Sequence, residues 1–448
     1  MELRLRSNKY SIYNMNKLFL SLLFLTTLYF SCYQSSFAQQ KVFTQDIDNF
    51  WIAYDSTKSI SDSTAQVHLL QILYIDKGTP GLQAFMQARN YSAPLYVQLI
   101  NKYPKFWLSI RPNTLTVKSK AAEIEKSIQK LKLFYPELRD AKMYFTIGGL
   151  RSGGTTKDSM VLIGAEIATG DPSTDVSEFP NKWLASVFKE QHAENLISLN
   201  IHEFIHTQQH GDGNNLLAQA ITEGSCDFIS ELVMGKPLQS NYIIYGRQHE
   251  QELKETFKQE LFTSAFSKWL YNGSDAKTVA DLGYFMGYEI CKSYYAQSAN
   301  KKQAIKEIIE LNYSDSNAVE SFLKKSKYYT EPLNKEKLLQ AFEQKQPVLI
   351  KSEPFENGNI TVDTSLKEMT FVFSQPMGKG YSINYSEKGK EFSPITGVVG
   401  FSDDRKKFTV KIDLKSNHEY ELVVTNRSFQ STDGYPLLKD YLIKFKTK

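Results

Sequence analysis

Two histidines and a glutamate in this sequence have a spacing that suits metal chemistry. His202, Glu203 and His206 form the pattern His-Glu-x-x-His within residues 200–209. On an α-helix, residues four apart lie on one face, so both imidazoles can reach the same metal ion. Glu203 lies beside them, where it can hold a water molecule and take its proton. We therefore expect a Zn²⁺ site on a helix, with hydrolysis as its chemistry.

A third ligand is expected from the segment that follows. Glu223 lies downstream, and Asp227 comes four residues later, about one helical turn on. A Gly-Asp-Gly sequence ends the first helix, and a second helix is expected over residues 214–234. Two helices joined by a short turn pack antiparallel, which would bring Glu223 back to the histidines. Three protein ligands leave a position for water, as a catalytic zinc site requires. Glu231 is the competing acid, and we expect it to be solvated.

The segments before this helix pair are expected to form one wall of a cleft and a small sheet. Residues 41–140 have largely helical spacing, with turns at 79–81 and 111–113. Residues 143–147 and 161–167 have strand character, and the glycines between them indicate a flexible turn before a returning strand. A sheet in this position suits an extended peptide substrate. Glu166 is therefore a candidate substrate-binding residue, and a solvated strand glutamate is the alternative.

The helix pair resembles that of the gluzincin metallopeptidases, in which a His-Glu-x-x-His helix is followed by a glutamate. The spacing of Glu223 and Asp227 is similar to the E-x-x-x-D of the thermolysin type, which implies that Asp227 orients a ligand histidine. The segment G-Y-F-M-G at 283–287 resembles the Y-x-x-G of the aminopeptidase-N type. That resemblance implies that Tyr284 stabilises the oxyanion. Tyr288 is the alternative residue, and a core position is the alternative for Tyr284.

The resemblance also extends beyond the motifs and implies a fold for each part. Residues 41–345 resemble predicted zinc-dependent proteases of bacterial envelopes related to gliding-motility lipoproteins. The expected fold is multidomain, with a mostly helical α+β zincin-like catalytic domain containing a small β-sheet over residues 39–346. The aminopeptidase signature G-A-M-E-N is absent, which leaves endopeptidase and exopeptidase specificity open.

From residue 350 to residue 448 the pattern changes to short alternating strands separated by turn residues. The segments F-S-Q-P-M at 373–377 and F-K-T at 445–447 resemble a bacterial immunoglobulin-like domain. An all-β immunoglobulin-like sandwich is therefore expected here. Its expected roles are spacing, docking or association with envelope polymers.

Export is indicated at the N-terminus. A basic residue precedes the apolar run 18–30, and small residues before position 39 suit a signal peptidase, so residues 1–38 are expected to be a signal peptide. The protein would be periplasmic or secreted, and acylation at Cys32, giving an outer-membrane lipoprotein, is the alternative. No later segment suits a transmembrane span. Cys226 and Cys291 would then remain, either as buried thiols or as a pair.

Composition narrows the classes of partner. The 448 residues carry a net charge of +4, much of it within the first 38 residues, and 41% of the chain is hydrophobic. A globular protein without a nucleic-acid partner is expected. The preferred function is an exported zinc metallopeptidase acting on a peptide or protein substrate, with Glu203 as general base. An exported non-catalytic zinc-binding or assembly protein is the alternative, and amide or ester hydrolysis and the oligomeric state are left open.

Overall fold

The computed structural model describes residues 40–180, 182–191, 193–273 and 278–448. The predicted signal peptide and Cys32 lie outside the described residues. Val42–Lys448 form one unit, in which a helical part precedes a part rich in β-strands. Each part has its own hydrophobic core. None of the helices within the described ranges is both long and apolar enough to cross a membrane.

The first helices form a layer around a dense aromatic core that contains Phe50, Trp51 and Trp107. The elements in this stretch are β1 (Val42–Phe43), α1 (Gln45–Lys58), α2 (Ser63–Leu70), which continues as a π-helical turn (Gln71–Ile75), α3 (Pro80–Arg89), α4 (Ala93–Lys102) and α5 (Pro104–Phe134). The turn predicted at 111–113 is wrong, because Pro112 lies inside α5. At the other predicted turn, 79–81, helix α3 begins, with Thr79 as its N-cap and Pro80 in its first turn.

A four-stranded sheet follows, with the order β1-β2-β4-β3. Its later strands are β2 (Lys142–Thr146), β3 (Gly154–Lys157) and β4 (Met160–Gly164). Strands β2 and β4 are parallel, so β4 is not the returning partner of β2 that the sequence predicts. The hairpin is instead formed by β3 and β4 around a two-residue turn at Asp158, whose φ is 53°. The predicted flexible turn therefore contains an edge strand, β3.

The remaining helices enclose the site and pack on one another. They are α6 (Ala165–Ala168), α7 (Trp183–Glu190), α8 (Leu196–His206), α9 (Leu216–Met234), α10 (Asn241–Lys258), α11 (Phe266–Trp269), α12 (Leu282–Gln297), α13 (Lys301–Ile309), α14 (Ser316–Ser326) and α15 (Lys335–Glu343). Helix α9 begins with Asn215, whose side chain accepts a hydrogen bond from the backbone N–H of Ala218, and it ends before Gly235. Fourteen of the 19 residues of α9 are buried, so α9 is a central helix of this part.

The C-terminal part contains two antiparallel sheets that share one hydrophobic core. One has the order β5-β6-β9-β8 and the other β11-β10-β7. The strands are β5 (Leu349–Glu353), β6 (Glu368–Phe373), β7 (Ile383–Tyr385), β8 (Ile395–Phe401), β9 (Lys407–Ile412), β10 (Glu419–Val424) and β11 (Tyr441–Lys446). In β6 and β9, buried and less buried residues alternate, as two faces of a strand require. The change from helices to strands falls between Glu343 and Leu349, and the immunoglobulin-like identity stays a prediction.

Candidate metal centre

Helices α8 and α9 bring three predicted ligand atoms together. His202 and His206 lie one turn apart on α8, and Glu223 lies on α9. The Nε2 atoms of the two histidines are 3.1 Å apart. Oε2 of Glu223 lies 3.3 Å from Nε2 of His202 and 3.2 Å from Nε2 of His206. These three atoms therefore form a nearly equilateral triangle inside the protein.

Each imidazole is oriented by a partner at its other nitrogen. Nδ1 of His202 is 2.8 Å from Oδ1 of buried Asp227, and Nδ1 of His206 is 2.7 Å from Oε1 of Gln209. A carboxylate can only accept, so His202 donates from Nδ1. Gln209 donates through its amide nitrogen to the carbonyl oxygen of Thr222, which leaves Oε1 to accept from His206. In the neutral imidazoles, both Nε2 atoms then present lone pairs toward Glu223.

A cation fits this arrangement. With both imidazoles neutral, three atoms that bear lone pairs face one another in the interior, which is unfavourable unless positive charge is added. Ligands placed about 2.0–2.2 Å from a tetrahedral zinc ion would be separated by about 3.3–3.6 Å, slightly more than the sides of the observed triangle. Burial alone would lower the pKa of His202, but the carboxylates of Asp227 and Glu223 outweigh burial and raise it. Burial would raise the pKa of Glu223, yet the two histidines hold it low. The residues therefore favour a positive charge.

Cys226 is a second candidate for the third ligand. The ligand atoms of His202, His206 and Cys226 all lie within 4.8 Å of one another, so this group could also hold a metal ion. However, Sγ of Cys226 is 3.5 Å from Nδ1 of His206, the nitrogen that faces Gln209. Burial raises the pKa of the thiol to about 11, so it is protonated at neutral pH. Glu223 meets both Nε2 atoms and is the better-placed ligand. Cys226 and Cys291 are free thiols in this structure.

Glu203, the predicted base, is half-buried on α8 next to the edge strand β3. A methyl group added at Gly154 would lie 4.0 Å from Cδ of Glu203. Strand β3 therefore begins close to this carboxyl group. A proton-accepting group and an edge strand of the sheet are therefore neighbours.

The two tyrosines considered for stabilising the oxyanion, Tyr284 and Tyr288, lie in different surroundings. The ring of Tyr284 stacks on that of His202, with centroids 6.0 Å apart and planes inclined by 16°. Tyr288 is buried, and its hydroxyl donates to Oε1 of Glu231 at 2.6 Å, so it belongs to another cluster. Glu231 also pairs with Arg247 at 2.8 Å, which corrects the expectation that Glu231 is solvated. Its carboxylate is paired with residues on α10 and α12, and its side chain is 21% exposed.

The expectation that Glu166 binds substrate is also corrected. Glu166 lies on α6, and 0% of its surface is exposed. Its carboxylate accepts hydrogen bonds from the backbone N–H groups of Gly148 at 2.7 Å and Leu150 at 3.3 Å. Burial raises its pKa to about 7, in spite of these hydrogen bonds. Glu166 therefore holds the segment that leads from β2 to β3 and does not face a groove.

Tyr271 is a residue of the site that the sequence did not indicate. Its hydroxyl lies 2.9 Å from Oε1 of Glu223, the oxygen turned away from the histidines, and 2.9 Å from Oε1 of Gln219. The residue is 61% exposed and has a left-handed φ of 57°. No motif or periodicity surrounds it, because it follows the short helix α11. Only the three-dimensional structure reveals its contact with Glu223.

Comparison with known proteins gives one match that bears on this site. Residues 170–316, which contain α8 and α9, match the model of a family described as "Predicted Zn-dependent protease (DUF2268)". The match covers less than half of the chain and supports a protease role weakly. No curated protein matches the chain in sequence.

Two solved structures of surface-layer proteins are similar to the chain only at a low level. They are described as "Crystal structure of the S-layer protein rSbsC(31-844)" and "Structure of surface layer protein SbsC, domains 1-6". Their identities to this chain are 11% and 13%, over 90% and 61% of its length, and the TM-score is 0.17 for each. The chain spans 45% and 42% of those chains. A likeness of this size supports no argument about fold or function.

Proposed function

We propose that this protein is an exported, zinc-dependent metallopeptidase of the gluzincin type. The observation that carries the proposal is the triangle of lone-pair atoms from His202, His206 and Glu223, with sides of 3.1, 3.2 and 3.3 Å. The description of the family matched over residues 170–316 agrees with a protease. The chemistry of the donor set agrees with zinc, which prefers imidazole nitrogen and carboxylate oxygen in catalytic sites.

In the proposed mechanism, His202, His206 and Glu223 hold the metal and Glu203 moves the proton. A bound zinc ion would lower the pKa of a water molecule toward neutrality and polarise the scissile carbonyl. Glu203 accepts the proton of the attacking water on a carboxylate oxygen and delivers it to the leaving nitrogen. The hydroxyl of Tyr284 is proposed to donate to the carbonyl oxygen as negative charge develops there.

An extended peptide is the proposed substrate, and β3 is its proposed docking strand. Strand β3 is an edge of the sheet, and its outer side offers backbone N–H and C=O groups to a further strand. Gly154 at its start lies next to the carboxyl group of Glu203. A peptide added to β3 would therefore pass the residue that moves the proton. The C-terminal part is proposed to be an immunoglobulin-like module that associates with envelope polymers.

Turnover of a diverse peptide library by the full chain tests this proposal. The wild-type protein loaded with zinc should cleave peptides, and a chelator should abolish the cleavage. Glu203→Gln should keep its zinc and lose about 10²–10⁴-fold in turnover, the usual contribution of a general base. His206→Ala should lose the metal. Equal cleavage by the wild type and Glu203→Gln would reject the assigned base. Stoichiometric zinc without any cleavage would favour a non-catalytic zinc-binding protein.

A further inference from the structure

We propose that Tyr271 is a positioning residue for Glu223, and that the C-terminal part holds Tyr271 in place through α11. The inference rests on the proposed function only in that it takes Glu223 to be a metal ligand. It assigns to the strand-rich part a role in setting the geometry of the site in the helical part. Three links carry it, from Glu223 to Tyr271, from Tyr271 to α11, and from α11 to the loop at 430–436.

The first link is the hydrogen bond to Glu223. Oε2 of Glu223 faces the two histidines, and Oε1 lies 2.9 Å from the hydroxyl of Tyr271. The phenol has one proton for two neighbouring oxygens, and a carboxylate is a stronger acceptor than the amide of Gln219. Tyr271 thus fixes the rotation of the carboxylate, which decides that only one of its oxygens meets the imidazoles. Partners of this kind orient metal ligands and raise affinity.

The second link is the set of contacts that hold the backbone around Tyr271. Leu270, before it, is buried, and the side chain of Asn272, after it, donates to the carbonyl oxygen of Lys268 at 3.0 Å and accepts from the backbone N–H of Asp281 at 2.8 Å. Tyr271 itself has a φ of 57°, a conformation that a bulky residue keeps only when its surroundings impose it. The backbone that carries the phenol is therefore held in one position, although most of the surface of Tyr271 is exposed.

The third link joins α11 to the C-terminal part. The hydroxyl of Ser267 donates to Oε1 of Gln430 at 2.7 Å. Nζ of Lys268 lies 4.2 Å from the ring centroid of Tyr435, within the range of a cation–π contact, and pairs with Glu260. A methyl group added at Gly434 would lie 2.8 Å from Cγ of Lys268. Loop 430–436 is part of the connection from β10 to β11. It therefore contacts two residues of α11, Ser267 and Lys268.

This arrangement predicts that loosening the loop weakens zinc binding without any change at the metal ligands. Loop 430–436 is closed by a hydrogen bond from the backbone N–H of Ser431 to the carbonyl oxygen of Tyr435 at 2.8 Å, so it holds its own shape. Only two residues, Trp269 and Leu270, separate Lys268 from Tyr271. A displacement of α11 would therefore move the phenol away from Glu223. The carboxylate could then turn, and zinc would lose a preorganised ligand.

The test measures the affinity of the full chain for Zn²⁺ by competition with a chelating dye, and the visible spectrum of the Co²⁺-loaded chain. Tyr271→Phe should bind Zn²⁺ about 10-fold more weakly, at the lower end of the usual effect of a ligand partner. Its Co²⁺ spectrum should change, which a purely structural role would not produce. Gln430→Ala should weaken Zn²⁺ binding about threefold, as should Ser267→Ala, which removes the other half of the same hydrogen bond.

A double variant and a matched control complete the experiment. In the Tyr271→Phe background, Gln430→Ala should cause no further loss, because both act through one hydroxyl. Gln375→Ala is the control, since its amide donates to the carbonyl oxygen of Lys345 at 3.1 Å, outside loop 430–436; its affinity should equal that of the wild type. Unchanged affinity in Tyr271→Phe, or additive losses in the double variant, would overturn the inference. Peptide cleavage by the wild type decides the proposed function separately.

Discussion

The two ligand histidines differ in the partner that orients each imidazole. His202 donates to a buried carboxylate, Asp227, whereas His206 donates to the neutral amide oxygen of Gln209. A charged acceptor strengthens the hydrogen bond and raises the electron density at the opposite nitrogen. His202 should therefore be the more strongly bound of the two imidazoles, and Asp227 the more sensitive of the two partners.

Replacement of Asp227 by asparagine tests this asymmetry. Asp227→Asn keeps the size of the side chain but removes the charge behind His202. Zinc affinity, measured by chelator competition, should fall by about 10–100-fold. Glu231→Gln is the matched control on the same helix, because Glu231 pairs with Arg247 and Tyr288 and not with a ligand. The assigned role of Asp227 is wrong if both variants retain the affinity of the wild type.

At this scale, some of the residues of the site could be predicted and others could not. The helical period places His202 and His206 on one face of a helix, and the short turn that follows predicts that Glu223 returns to that face. Tyr271 reaches the site because a loop carries it there. A loop has no periodic residue pattern from which this contact could be predicted. Glu166 was assigned to a strand and to a groove, because nothing local distinguishes a carboxylate that accepts buried backbone N–H groups from one exposed to solvent.

At the scale of elements, the site depends on how closely α9 and α12 approach. A methyl group added at Gly224 would lie 2.1 Å from the backbone nitrogen of Tyr288, and one added at Gly287 would lie 1.7 Å from the carbonyl oxygen of Ala220. The helices thus cross backbone to backbone, next to Glu223. Gly224 and Gly287 permit this crossing, since any side chain at either position would push the two helices, and with them Glu223 and Tyr284, apart.

An alanine at Gly287 should therefore be strongly destabilising. The added methyl group meets the backbone of α9, which cannot rotate away, so Gly287→Ala should lower the free energy of unfolding by about 3 kcal/mol or more. Chemical denaturation measures this loss. Gly397→Ala in β8 is the control, because its nearest new contact would be a lysine side chain at 3.7 Å, and it should change stability little. Equal stabilities of the two variants would contradict the close crossing.

The buried carboxyl group of Glu166 holds the connection between β2 and β3, and it should make the stability of the protein depend on pH. Burial raises its pKa from 4.5 to about 7, so the folded protein holds a proton that the unfolded chain releases above about pH 4.5. Stability should therefore fall as pH rises from about 4.5 to about 7. At about 1.4 kcal/mol per pH unit, this carboxyl group contributes about 3 kcal/mol to that fall.

Urea denaturation at several pH values measures this contribution. In Glu166→Gln the part of the pH dependence due to residue 166 is absent, so the difference in stability between wild type and variant should change steadily between about pH 4.5 and about pH 7. The glutamine keeps an oxygen that accepts one of the two backbone N–H groups. A difference that stays constant across this range would show that Glu166 does not titrate there.

For the whole molecule, the change in sequence periodicity near residue 347 predicted a helical part and a part rich in strands, and the structure has both. The order of strands in the first sheet was not predictable. Strand β2 pairs in parallel with β4, although β3 lies between them in the sequence and takes the edge of the sheet. Contacts between the two parts were also invisible in the sequence. Tyr435, from the strand-rich part, packs against the core of the helical part, which depends on the path of one loop.

Metal binding should stabilise the whole chain, because the ligands come from two different helices. At a free zinc concentration of about 100 times Kd, binding adds about 2.7 kcal/mol to the free energy of unfolding. A chelator should therefore lower the melting temperature of the wild type by several degrees, as followed by circular dichroism. Glu203→Gln should respond in the same way, and His206→Ala should not respond. An equal response in His206→Ala would place the metal elsewhere.

The most direct test of the central claim is zinc K-edge X-ray absorption of the full chain loaded with one equivalent of zinc. The account predicts two imidazole nitrogens and further oxygen ligands at about 2.0–2.2 Å, with no sulfur. Glu223→Gln should alter the spectrum, whereas Cys226→Ala should leave it unchanged. A sulfur ligand at about 2.3 Å would contradict the account, because Cys226 and not Glu223 would then complete the site.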